Sequence, residues 1–145
     1  MRVNQATHQA TEERLLDSGA KLFLEQGFEA ATTRELAARS GVAVGTLFNY
    51  FPTKEALAHT LLARAAGRAA EELDATRGDA APLEETLFAH VAAELRHFAP
   101  YRRWIGEALR AAGGPLRRGG GEGDALRVQH LERVERWLSE AGDES

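Results

Sequence analysis

Gly41-Val42-Ala43-Val44-Gly45-Thr46-Leu47-Phe48-Asn49-Tyr50-Phe51-Pro52-Thr53-Lys54 is the stretch on which the fold turns. Leu47 and Phe51 stand four residues apart, the spacing of a buried stripe on a short helix. The opposite face holds Gly45, Thr46 and Asn49, with Val44 and Phe48 at its margins, and it carries no charge. A solvated helix face ordinarily holds Lys, Glu or Arg, whereas a small uncharged face suits close approach to another surface. The major groove of DNA admits a helix and rewards a side-chain amide such as that of Asn49 with bidentate pairing to adenine. Taken alone, such a stretch is more often a short connecting helix that merely packs.

The flanks favour the first interpretation. Upstream, Thr32-Thr33-Arg34-Glu35 predicts a capping box, the Thr32 hydroxyl accepting from the Glu35 amide while the Glu35 carboxylate reaches back. Leu36 and Ala37 then face inward, and Gly41 follows Ser40, where positive φ ends a helix at no steric cost. Two short helices joined by a tight Gly-bearing turn describe a helix-turn-helix. Downstream, Pro52 cannot continue a helix and Thr53 is a good N-cap for the next one. Lys54 falls in that helix's first turn, where a cation is mildly unfavourable unless it meets a phosphate.

Thr33-Arg34-Glu35-Leu36-Ala37, then Gly41-Val42, then Gly45 to Lys54 resembles the DNA-binding domain of the tetracycline-repressor (TetR) family of bacterial transcriptional regulators, over about Glu12 to Leu62. The resemblance implies that Val44, Gly45, Thr46, Phe48 and Asn49 touch bases or the groove wall, and that Thr33, Arg34, Tyr50 and Lys54 hold phosphates. Two departures remove a hydrogen-bonding group: Val44 stands where a polar or basic residue is frequent, and Phe48 where Tyr is usual. Base reading is left to Asn49, Thr46 and apolar contacts with thymine methyls.

Composition bounds the rest. The chain has 145 residues, enough for one ordinary domain or two small helical ones, and no cysteine, which excludes disulfides, thiolate metal sites and a cysteine nucleophile. With no membrane-spanning run and no signal peptide, a soluble, cytoplasmic protein is expected. The net charge of −4 is not that of a basic nucleic-acid binder: residues 1–58 hold 6 Lys+Arg against 7 Asp+Glu, and residues 59–145 hold 12 against 15. Binding to DNA must then rest on a few placed cations, helix N-termini and uncharged donors rather than on a basic field.

Met1 to Ala10 is polar and unpatterned and is expected to be an arm, with Arg2 either reaching DNA or part of a disordered terminus. From Thr11 a helix is predicted, with Leu16, Ala20, Phe23 and Leu24 inward, ending at Gly27 with Phe28 in a Schellman-type contact. Phe23, Phe28, Leu36, Val42, Leu47 and Phe51 form the expected three-helix core. A long helix runs from Thr53 to about Thr76 on the ladder Leu57, Leu61, Ala65, Ala69 and Leu73. In the resembled family this helix links ligand site to DNA site. After a turn containing Arg77-Gly78-Asp79, an amphipathic helix carries Leu83, Leu87, Val91, Leu95 and Phe98 on one stripe. A helix follows Pro100 with Tyr101, Trp104, Ile105, Ala108 and Leu109 at helical spacing. Residues 113–123 hold 6 of the 14 glycines and predict a loop, which lacks the spacing of a phosphate-binding loop. A last helix is expected from Asp124 to Ala141 with Leu126, Leu131, Val134 and Leu138 inward and Trp137 beside them.

The expected architecture is therefore all-α, with a helix-turn-helix domain over residues 1–52 and a connecting helix plus small helical effector or dimerisation domain over 53–145. Leu61, His90, Glu94, His97, Phe98 and Trp104 are candidates for an effector pocket, although aromatics at helical spacing are more often core. The function implied by the resemblance is a DNA-binding regulator, usually a repressor released by a small molecule, acting as a homodimer on an operator, with no cofactor, metal or membrane partner and no catalysis. Members of the resembled family usually continue beyond the point where this chain stops, with their last two helices forming the dimer interface, so either the chain is a fragment or its dimer is made differently. Two other interpretations stay open: a helix-turn-helix module that docks a partner protein without ligand control, and a helical-bundle metal protein using His90, Glu94 and His97. The metal centre would need a second Glu-x-x-His, which the sequence lacks.

Overall fold

The computed structural model describes residues 4–78, 81–111, 128, 131–136 and 138–139. Among these it forms α1 (Gln5–Gln26), α2 (Thr33–Ser40), α3 (Val44–Tyr50), α4 (Lys54–Thr76), α5 (Leu83–Phe98), a 3-10 turn (Ala99–Tyr101) and α6 (Ile105–Ala111). Residues 128, 131–136 and 138–139 are also helical, and no strand occurs among the described residues. The all-α expectation holds. The chain divides into two compact units, residues 1–61 with 101–114 and residues 62–100 with 115–145. The division falls inside α4, and α6 belongs to the same unit as the helix-turn-helix.

In the first unit, α1 begins six residues earlier than the apolar pattern predicts. The Asn4 side chain accepts from the Ala6 amide at 3.3 Å and caps the helix. Residues 5–10 are all exposed, so no apolar period signals this turn and a half, and good helix formers behind a cap suffice. The buried side is Thr11, Leu15, Leu16, Gly19, Leu22 and Phe23, while Leu24, predicted inward, lies one position off it and is exposed. Gly19 admits α4 closely: a Cβ there would stand 2.5 Å from Leu57 Cδ2.

Helix α2 opens with the predicted capping box, Glu35 N–H donating to Thr32 Oγ1 at 3.2 Å and Thr32 N–H to Glu35 Oε2 at 3.0 Å. It ends at Gly41 with φ 67 and ψ 31. Here, rather than at Gly27, the chain makes a Schellman motif: Val42 N–H donates to Ala37 O at 3.1 Å and Gly41 N–H to Ala38 O at 3.2 Å. Gly27 has φ 88 but ψ 160, so α1 exits on an extended path.

Phe23, Phe28, Leu36, Leu47 and Phe51 are buried, and Val42 is half-buried. The core also contains a residue the sequence assigns elsewhere. Trp104, a candidate for the effector pocket, is 0% exposed, its ring 5.1 Å from that of Phe23 in an edge-on arrangement. Phe23 meets Phe28 in the same manner, at 5.1 Å and 64°.

In the second unit, the predicted stripe of α5 is only partly covered: Leu83, Leu87 and Phe98 are half-buried, and Val91 and Leu95 are exposed. Thr86, His90 and Ala93 are buried, whereas Phe88, Val91 and Leu95 are 78%, 53% and 68% exposed. Glu72 of α4 pairs with Arg96 and accepts from His97 Nε2 at 2.8 Å. His97, Ala93, His90 and Thr86 share one side at helical spacing. Leu131 and Leu138, predicted inward, are exposed, and Val134 is half-buried. The arm residue Arg2, the glycine-rich loop 113–123, Leu126, the Trp137 side chain and the end of the last helix lie outside the described residues.

Candidate nucleic-acid interface

Helix α3 is seven residues long and owes its place to packing. Leu47 is its buried residue, Phe51 behind it is also buried, and the Schellman turn at Gly41 sets the angle at which α3 leaves α2. With that side fixed, the uncharged residues turn outward: Val44, Gly45, Phe48 and Asn49 are exposed, and Thr46 and Tyr50 are half-buried. A Cβ added at Gly45 would meet nothing within 4 Å, so its bareness leaves open space at the helix surface. Two large apolar side chains, Val44 and Phe48, stand in water on this face at 36% and 45% exposure, where desolvation against thymine methyls or a groove wall would be favourable.

The phosphate candidates divide. Thr33 is the half-buried first residue of α2, and Arg34 beside it is exposed. The Thr32 hydroxyl and amide hold the Glu35 carboxyl below the usual carboxylate range, so the acid stays ionised and folded back on its cap. The Arg39 guanidinium similarly lowers Glu25, and their pair ties α2 to α1 across the surface. Tyr50 stacks on His8, ring centroids 4.4 Å apart. His8 sits in the early turns of α1 that the sequence pattern misses, and no local signal marks it.

Lys54 is engaged within the chain. Its ammonium donates to the carbonyl oxygens of Phe28 at 2.8 Å, Glu29 at 3.0 Å and Ala31 at 3.1 Å, and lies 4.7 Å from the centre of the Phe28 ring. All three donors of the ammonium are engaged, which also offsets its unfavourable position at a helix N-terminus. The local pattern cannot show this, because the acceptors lie more than 20 residues upstream.

The effector-pocket candidates do not assemble within one unit. Leu61 and Trp104 belong to the first, where both are buried, and His90, Glu94, His97 and Phe98 to the second. In the second unit His90 Nε2 is 3.4 Å from Glu94 Oε1, while His97 is paired with Glu72, which Arg96 and His97 together hold below its usual pKa. Among the described residues no group of three or more His, Cys, Asp or Glu side chains could hold a metal ion, so His90, Glu94 and His97 do not form the metal centre of the alternative interpretation. No helix among the described residues is long and apolar enough to cross a membrane.

Known proteins resemble the chain in the part that holds this interface. The sequence model for bacterial regulatory proteins of the tetR family matches residues 15–61. The HTH-type transcriptional repressor KstR of Mycolicibacterium smegmatis is 44% identical over 68 residues, 47% of this chain and 31% of that one. An HTH-type transcriptional regulator of Bacillus subtilis, YvkB, is 33% identical over 69 residues, 48% of this chain and 36% of its own. The chain thus spans about a third of the length of these curated relatives. Among solved structures, the fatty acid degradation regulator FadR of Bacillus halodurans superposes with a TM-score of 0.63 at 20% identity, covering 91% of this chain and 71% of that one. A tetR family regulator from Shewanella sp. PV-4 gives 0.57 at 23% identity, over 90% and 67%. At these identities the structures share the fold.

Proposed function

We propose that the chain, whose residues 15–61 match the model of the tetR family of bacterial regulatory proteins, is a member of that family that binds double-stranded operator DNA and regulates transcription, as a repressor released by a small-molecule effector. The observation that carries this proposal is the outward face of α3, which is exposed, uncharged and bare at Gly45 while its other face is locked into the core. Val44, Gly45, Thr46, Phe48 and Asn49 enter the major groove, and Asn49 supplies the amide that pairs with adenine. Thr33, Arg34 and Tyr50 meet the phosphates on either side and fix the register of the helix. The Lys54 ammonium, engaged with three carbonyl oxygens, holds the turn between α1 and α2 in this reading. The chain acts as a two-fold dimer, since a single half-site gives little specificity and protein symmetry matches a palindromic site. The effector is held in the second unit near the buried His90 and the half-buried Glu94, His97 and Phe98, whose polar groups suit a ligand with hydrogen-bonding capacity.

The test is selection from a random-sequence duplex pool by the purified chain. Enrichment of one palindromic sequence supports the proposal, and the half-site spacing reports the distance between two recognition helices. A pool that stays random after repeated rounds overturns it.

A further inference from the structure

The turn between α1 and α2, residues 27–32, is held from two sides in the first unit. On its carbonyl side stands the Lys54 ammonium. On its amide side stands Glu107 of α6, whose Oε2 accepts from Phe28 N–H at 2.7 Å and from Glu29 N–H at 3.2 Å. Two successive N–H groups aimed at one oxygen form a small anion-binding concavity, and bonds to an ionised acceptor are the stronger kind. Gly27 makes room for the carboxylate. Its φ of +88 is one that side-chain-bearing residues rarely adopt, and a Cβ there would stand 3.3 Å from Glu107 Oε2 and 3.6 Å from Oε1. The carboxylate is itself well anchored, because Ala108 next to it and Trp104 one turn earlier are buried, and Trp104 packs on Phe23.

We propose that Glu107 is a positioning residue for DNA binding, an inference that rests on the DNA-binding function proposed above. It touches no part of the nucleic acid. It fixes the turn whose last residue, Thr32, caps α2, and so the place of Thr33 and Arg34 at the start of that helix. Through the Schellman turn at Gly41 it also fixes the angle of α3. The carboxylate lies 79 and 78 residues from the amides it holds, with α2, α3, α4 and α5 between them in the chain. The helix-turn-helix therefore takes its final geometry only when the segment that follows α5 is seated.

The probes are the duplex enriched from the random pool by the unmodified chain and a scrambled duplex of the same length. Glu107→Ala loses about tenfold in affinity for the enriched duplex, whereas Glu107→Gln, which keeps an oxygen acceptor, stays within about twofold. Titrations are run about 20 °C below each variant's unfolding midpoint, where a contribution to stability alone leaves affinity unchanged. The salt slope stays that of the unmodified chain, because no phosphate contact is removed. Amide exchange at Phe28 and Glu29 accelerates in Glu107→Ala and not in Glu107→Gln, with or without DNA. Freed amides with unchanged affinity overturn the positioning role. Unchanged amide exchange overturns the clamp itself. If the unmodified chain enriches no duplex, the DNA-binding function falls and the positioning role with it, while the exchange data still report whether Glu107 holds the turn.

Discussion

Lys54 Nζ lies 2.8 Å from the carbonyl oxygen of Phe28 and 4.7 Å from the centre of the same residue's ring, so one cation engages both the backbone and the side chain of a single core residue. The ammonium is thereby a structural group of the α1–α2 turn. Replacement by methionine keeps the aliphatic stem and removes the charge, leaving three carbonyls without their donor. Ala31, one of these acceptor residues, is buried.

Lys54→Met should therefore destabilise the chain by about 1–3 kcal/mol, read as a lower urea midpoint at unchanged slope. Binding to a scrambled duplex, measured where the variant is fully folded, should keep the salt dependence of the unmodified chain. A phosphate contact at this position would instead flatten the slope by about one unit per site. That flattening would mean the ammonium leaves the turn when DNA arrives.

The second prediction concerns acid. Glu35 has its pKa lowered in the folded chain by the Thr32 hydroxyl and amide, with Gln26 and Arg39 adding to the effect. A carboxyl whose folded pKa lies below its unfolded value stabilises the fold above that unfolded value, near 4.5, and ceases to do so as pH falls through the folded one. Glu25 and Glu72, lowered by Arg39 and by Arg96 with His97, act in the same direction. Glu35→Gln should lower the urea midpoint at pH 7 and lose that difference as pH drops below about 4.5. A gap that persists unchanged at pH 3 would show that the carboxylate charge contributes nothing to the cap.

Local chemistry made much of the first unit legible in the sequence. A capping box, an αL glycine and a proline act within a few residues of themselves, so α2 and α3 could be bounded from Thr32, Gly41 and Pro52 alone. What escaped was everything decided at a distance. Lys54 and Glu107 both serve the 27–32 turn from far along the chain, and neither shows a local signature. Trp104 sits at a spacing that predicts a buried helix face but says nothing about which core receives it. In α5 the apolar period marks the helix but not its buried side in full: Thr86, His90 and Ala93 are buried, while Val91 and Leu95 of the stripe are exposed. The extension of α1 through His8 was lost for the opposite reason: an exposed helix has no period to read.

The last prediction tests the recognition helix itself. Asn49 is exposed on α3 beside Gly45, and its carboxamide offers one donor and one acceptor in the pairing geometry of an adenine edge. Phe48 and Val44 flank it with apolar surface that can discriminate a thymine methyl but cannot read hydrogen-bonding edges. Sequence information should therefore be concentrated at Asn49. Asn49→Ala should cost about 1–3 kcal/mol on the enriched duplex and little on a scrambled one, relaxing specificity at one base pair in each half-site. Asn49→Asp removes the donor and adds a negative charge facing phosphates, so it should weaken both duplexes. Titration of both variants on both duplexes separates these effects. Equal losses for Asn49→Ala on enriched and scrambled DNA would show that Asn49 does not read a base, and specificity would then have to come from Thr46 and the apolar margins of α3.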